Sequence, residues 1–233
     1  MTRIQSVETV GSTNSAMKAM AEEGAEHGFI LVADRQTAGR GRLARSWVDA
    51  GEGNLYASVL LRPNIAPQQA PLLCLGAALA LAETCGQGFG IKWPNDVLAP
   101  NGGKVAGILA EMELEAGKIK WVVIGVGVNL RHAPAEVPGA ETVSNFRDLV
   151  PDPLQFAEEF GSTFLSIVDR LGLSPGFFMP EYRRWDVTVG RKIRVGTIVG
   201  EAIGVEDDGS LMIEDGQGLK QRIMAGDVEM LSY

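Results

Sequence analysis

Hydrophobic positions along this chain change period several times, and each change predicts an element. Residues 3–10 read as a short strand. Ala16, Met17, Met20 and Ala21 recur at helical spacing. Ser12-Thr13-Asn14 just before them offers side-chain oxygens suited to a helix cap, and Gly24 is the expected stop. Residues 29–33 form a compact apolar run, read as a buried strand, and 55–61 form another, ended by Pro63. Residues 67–84 contain the most apolar stretch, 72–82, which is too short for a bilayer span of roughly 20 residues and predicts a buried helix. Residues 90–98 predict a strand interrupted by Trp93-Pro94-Asn95-Asp96. After the turn signal Asn101-Gly102-Gly103, runs 105–115 and 118–129 predict a hairpin across Ala116-Gly117. Residues 153–172 carry a helical pattern through Leu154, Phe156, Ala157, Phe160, Phe164, Leu165 and Val168.

The pattern shifts near residue 186. Short β-branched runs follow at 187–189, 193–195, 198–199, 202–205, 211–213 and 221–223, punctuated by glycines and Asp207-Asp208-Gly209. Many short strands with frequent turns predict a small barrel. The expected fold is α+β: a mixed sheet flanked by helices on one side over residues 1–186, then a small β-barrel over 187–233.

Composition narrows the function classes. The 233 residues carry 45% hydrophobic side chains, enough for a full core. The formal net charge of −8 argues against a general nucleic-acid surface, which wants a basic face. Two cysteines without a Cys-x-x-Cys and two histidines far apart give no disulfide framework and no zinc site. The first residues are not a secretory signal, so the expected compartment is the cytoplasm, with no membrane partner.

Four segments carry candidate chemistry. Residues 36–47 (QTAGRGRLARSW) join glycines, which permit close backbone approach, to arginines, whose forked donors match carboxylate and phosphate oxygens. Trp47 adds a flat face for a ring. Such a loop suits closure over a nucleotide or acyl phosphate; a mobile surface loop has the same composition. Lys92-Trp93-Pro94-Asn95-Asp96 offers oxygens of the kind magnesium prefers, and equally suits an ordinary turn. Lys104, leaving a glycine turn into a strand, can hold a negative charge; the absence of a following helix and of the full spacing excludes a P-loop. Gly125-Val126-Gly127-Val128-Asn129 bares one strand face, as if something flat packs there, and is not a Rossmann fingerprint.

Taken together, in this order and spacing, these segments resemble the biotin protein ligase family. The similarity spans nearly the whole chain, and the C-terminal strands are similar to that family's SH3-like module. The resemblance implies an ATP-dependent ligase that forms biotinyl-5′-AMP, releases pyrophosphate with Mg2+, and transfers biotin to a lysine of a biotin carboxyl carrier protein. It implies that Ser12, Thr13, Asn14 and Gln36 meet biotin, with Gly39, Gly107, Gly125 and Gly127 allowing close approach. Arg40, Arg42 and Lys104 would face carboxylate and phosphate. Arg45, Trp47 and Asn129 would meet the nucleotide. Asn95 would lie near metal-bound phosphates as a Mg2+ candidate, and Asp96 would position the incoming lysine.

Two departures stand out. Ala44 occupies a position where the family commonly has glycine, and alanine resists positive φ, so weaker retention of the adenylate is expected. The catalytic pattern begins almost at Met1, leaving no room for the N-terminal DNA-binding domain of some members, so no repressor function is expected. A homodimer through an exposed sheet edge is the oligomeric expectation. The competing readings are a lipoate ligase or octanoyltransferase, and a catalytically silent sensor of biotin or its adenylate.

Overall fold

A computed structural model describes residues 3–231. Its main layer is a seven-stranded mixed sheet of order β1-β2-β3-β7-β6-β5-β4. The strands are β1 (Arg3–Val10), β2 (Phe29–Gln36), β3 (Leu55–Leu61), β4 (Gly90–Lys92), β5 (Asp96–Leu98), β6 (Lys104–Glu115) and β7 (Lys118–Val128). Only β1 and β2 pair in parallel, joined by helix α1 (Thr13–Glu22); the other pairs in the sheet are antiparallel.

Helices cover both faces of this sheet, not one. Met17 and Ala21 of α1 pack with Leu31, Leu60, Trp121 and Val123. Helices α2 (Ala70–Cys85) and α3 (Pro153–Leu171) pack against Ile30, Val59, Val122 and Ile124 on the opposite face. Strand alternation sends Trp121 and Val123 one way and Val122 and Ile124 the other. Because both faces are covered, residues 121–128 are apolar or glycine throughout. The one-sided expectation fails because a doubly buried strand has lost the polar alternation that marks a covered face.

The remaining elements show where local pattern ran out. Helix α1 ends at Glu22, two residues before Gly24, which takes φ +94°. Ser12 occupies the cap position without a side-chain cap bond, because a distant strand caps the helix instead: Gln36 Oε1 accepts from the Thr13 N–H at 2.8 Å. Helix α4 (Met179–Trp185) had no sequence signature; Pro180, in its first turn, and its short length hid the period. Residues 187–189 form no strand, since the Asp186 carboxylate holds the Thr188 and Val189 N–H groups in a turn.

The second sheet has order β11-β10-β9-β8-β12 and forms the small SH3-like unit. It comprises β8 (Lys192–Val195), β9 (Ile198–Val205), β10 (Leu211–Glu214), β11 (Lys220–Ile223) and β12 (Val228–Met230). The two short runs expected at 198–205 are one strand. It passes through Gly200, where a Cβ would stand 2.3 Å from the Glu214 carbonyl oxygen. The unit shares the main core through Ile193, Val195 and Leu211. It docks on the chemistry-bearing segment: Trp93 Nε1 donates to the Gly209 carbonyl at 2.9 Å, and the Trp93 N–H donates to Thr188 Oγ1 at 2.8 Å. Among the described residues no helix is long and apolar enough to cross a membrane.

Candidate active site

The glycines of the central strands build the floor of a cavity. Gly107 on β6 pairs directly with Gly127 on β7, and Gly125 pairs with Ser58 on β3. These glycines bare the sheet face that α1 covers. Two side chains fill the bareness. A Cβ on Gly125 would stand 2.1 Å from Asn14 Oδ1, and one on Gly127 would stand 2.4 Å from Trp47 Cε2. A Cβ on Gly107 would also meet Trp47, 2.9 Å from Cζ3. The flat object expected over the Gly-x-Gly strand is therefore, in this conformation, the chain's own indole.

The loop from Thr37 to Trp47 folds over this floor as a tight excursion. Its base closes through Trp47 N–H to the Gly39 carbonyl at 3.0 Å. Gly39 permits that approach, since a Cβ there would meet the Trp47 carbonyl oxygen at 2.5 Å. Leu43 and Ala44 at its tip take φ of +53° and +58°.

The cations reach the cavity from separate segments. Lys104 Nζ stands 2.7 Å from Asp96 Oδ1 and 5.6 Å from the Trp47 ring centroid, and Lys92 Nζ stands 3.8 Å from Asp96 Oδ2. Arg42 donates to Asn95 Oδ1 at 2.6 Å and to the Gly226 carbonyl at 3.0 Å. Arg45 pairs with Asp227 at 2.6 Å, and Arg40 pairs with Glu111. Thus each of these cations has an internal anionic or oxygen partner, and the loop between β11 and β12 holds two of the arginines.

Ser12, Thr13, Asn14, Gln36, Arg40, Arg42 and Arg45 line the cavity together with Trp47, Asn95, Asp96, Lys104, Gly107, Gly125 and Gly127. Two candidates lie outside its wall. Gly39 serves the loop base, and Asn129 is buried with its amide donating to the Glu141 carbonyl at 3.1 Å. Sequence reasoning missed Glu111 and Asp227. Nothing local marks either one; only folding brings them to the arginines. The Cys74 thiol sits behind Pro94, pushed up to about 12 by burial, and is no nucleophile at neutral pH.

The free volume is about 120 Å3, whereas ligand sites usually offer roughly 300–1,000 Å3. A ring-bearing ligand on this floor must therefore displace Trp47. The Trp47 Nε1–H is buried without a partner, so that position is not fully satisfied as it stands.

Comparison with known proteins decides what this architecture is. The profile of the Biotin/lipoate A/B protein ligase family matches residues 6–129, and that of the Biotin protein ligase C terminal domain matches 187–231. The chain belongs to the biotin protein ligase family. The chain is 35% identical over 237 residues to the biotin--[acetyl-CoA-carboxylase] ligase of Mycobacterium tuberculosis, covering 95% of this chain and 86% of that protein. It is 32% identical over 249 residues to the bifunctional ligase/repressor BirA of Bacillus subtilis, covering 96% and 72%. The structure of the Aquifex aeolicus biotin protein ligase in complex with biotin and ATP superposes with a TM-score of 0.81 at 28% identity over 100% of both chains. The chain is accordingly a biotin-ligating enzyme.

Proposed function

We propose that this ligase forms biotinyl-5′-AMP from biotin and ATP in the Trp47 cavity and passes biotin to a lysine of a biotin carboxyl carrier protein. The observation that carries the proposal is the convergence of Arg40, Arg42 and Lys104, from two distant segments, on a glycine floor. Attack of a carboxylate on the α-phosphate brings two anions together. Preorganised positive groups that hold the developing charge more tightly than the ground state supply most of such an acceleration. No protein nucleophile is needed.

In this reading the biotin ring lies against Ser12, Thr13, Asn14 and Gln36, near Gly125. Its carboxylate reaches towards Lys104 and Arg40. Arg42 and Arg45 take phosphate oxygens, and Trp47 moves off Gly127 to pack on adenine. Asn129 supports the strand end beside the base. Asp96, released from Lys104, orients the carrier lysine.

Among the described residues the Mg2+ that accompanies ATP finds no protein cage. The Asn95 oxygen is engaged by Arg42, and Asp96 is flanked by Lys104 and Lys92. As they stand, these residues do not fit a resident metal. The reading includes a cytoplasmic location and no repressor role; the formal charge of −8 disfavours a general nucleic-acid surface. The exposed β1 edge is the surface a homodimer would use.

Pyrophosphate release from purified protein with Mg-ATP, comparing biotin, lipoate and no acid, tests the proposal. Release that depends on biotin supports it. Release with lipoate alone moves the assignment to the lipoate branch, and no release from folded protein moves it to a sensor.

A further inference from the structure

Glu111 lies outside the wall of the cavity, yet three side chains converge on it. It stands on β6, on the same sheet face as Gly107 and four residues further along the strand, beside the arginine loop. Its Oε1 accepts from Lys18 Nζ at 2.7 Å; its Oε2 accepts from Asn14 Nδ2 at 2.9 Å and from Arg40 Nη2. Burial alone would raise the Glu111 pKa. The bonds from Lys18 and Asn14 and the charge of Arg40 outweigh burial and hold it below the usual carboxylate value.

Two of the three partners line the cavity and the third does not. Asn14 is gripped at both ends, since Ser58 Oγ donates to its Oδ1 at 2.6 Å. Its amide is therefore fixed against Gly125. Arg40 spends one donor on Glu111 and retains the rest of its fork for a ligand. Paired only with Glu111, Arg40 would present no net charge. Lys18 restores one positive charge to the group and gives Glu111 a partner that has no part in binding.

We propose that Glu111 is a positioning residue for the acid-binding half of the site: it fixes Asn14 and Arg40 on their cavity-facing side, and Lys18 keeps it paired when Arg40 turns to the ligand. The inference rests on the function proposed above. It predicts an energetic link between Glu111 and Arg40 that a merely structural carboxylate would lack.

A double-mutant cycle with Glu111→Gln and Arg40→Ala tests it, read both by biotin-dependent pyrophosphate release and by calorimetric titration of biotin without ATP. Glu111→Gln should raise the biotin KM and Kd roughly tenfold, as loss of a charged hydrogen-bond partner does, and leave kcat within about threefold. In the Arg40→Ala background the same change should cost clearly less than tenfold, because of the two cavity-lining contacts only that of Asn14 is then left to lose. Lys18→Met, a surface change that carries the test if Glu111→Gln proves unstable, should raise biotin KM about threefold without moving kcat. Effects of Glu111→Gln and Arg40→Ala that simply multiply, or a kcat loss as large as the KM change, would overturn the positioning role. Calorimetric coupling in a chain that releases no pyrophosphate would uphold the positioning role while sinking the enzymatic reading.

Discussion

The Trp47 indole sits over Gly127 so closely that three of its ring atoms lie within 2.8 Å of where a Cβ would stand. The floor of the site is thus shaped for a ring, and the loop lays the Trp47 indole on it. Gly127→Ala should force Trp47 off the floor at a cost of about 1–3 kcal/mol typical of overpacking. We expect adenylation efficiency to fall at least about tenfold and the melting temperature to drop by roughly 2–4 °C per kcal/mol of that cost. Pyrophosphate release and tryptophan emission check this; unchanged emission would mean the indole does not rest there in solution.

Lys104 stands 2.7 Å from Asp96 and faces the cavity. Lys104→Ala should cut adenylate formation about 100-fold or more, as loss of a group that stabilises transition-state charge does. Biotin affinity should change less. Saturating kinetics beside equilibrium biotin titration separate the two, and a collapse of affinity with an intact saturated rate would contradict the role assigned to Lys104.

Ala44 takes φ +58°, a conformation that costs a residue with a Cβ roughly 1–2 kcal/mol. Ala44→Gly relieves that strain, offset in part by the greater freedom of glycine in the unfolded chain. A gain of about 1 kcal/mol in stability and slower release of the adenylate are expected. Thermal melting and intermediate-release rates measure both, and equal release rates would remove Ala44 from any account of retention.

Burial raises the Asp186 carboxyl to about 6 from 3.8, although the Val189 and Thr188 N–H groups pull the other way. Between about pH 4 and 6 the folded chain therefore holds a proton that the unfolded chain has released. Stability is fully present below that window and falls as pH rises through it. Asp186→Asn keeps an acceptor for both N–H groups and brings an amide near the Tyr182 hydroxyl, which is buried without a partner. The variant should lose this slope and be more stable than the native chain at pH 7.5 by about 1–2 kcal/mol. A native-like slope in the variant would show that Asp186 does not titrate as described.

Much of the architecture was legible because local pattern and tertiary environment agreed. Residues 72–82 are apolar on every side, and α2 is buried on every side. The hairpin of β6 and β7 closes where Ala116-Gly117 announces it; Ala116 takes φ +50° and Gly117 φ +77°. Legibility failed where a partner from elsewhere set the conformation. Gln36 caps α1 in place of Ser12, and the Asp186 carboxylate turns a β-branched run away from the sheet.

For the site, the sequence by itself determined the chemical inventory. Glycines at 107, 125 and 127, arginines at 40, 42 and 45, Lys104 and Trp47 are all residues whose types already state what they can do. Only the tertiary structure decided which of these meet and what holds them. It set Trp47 on Gly127, bound Arg40 to Glu111, and tied Arg42 and Arg45 to Gly226 and Asp227 of the loop between β11 and β12. The physical reason is that residue type fixes charge, shape and backbone freedom locally. Pairing between groups some 70 or 180 positions apart depends on sheet register and docking, which no local pattern encodes.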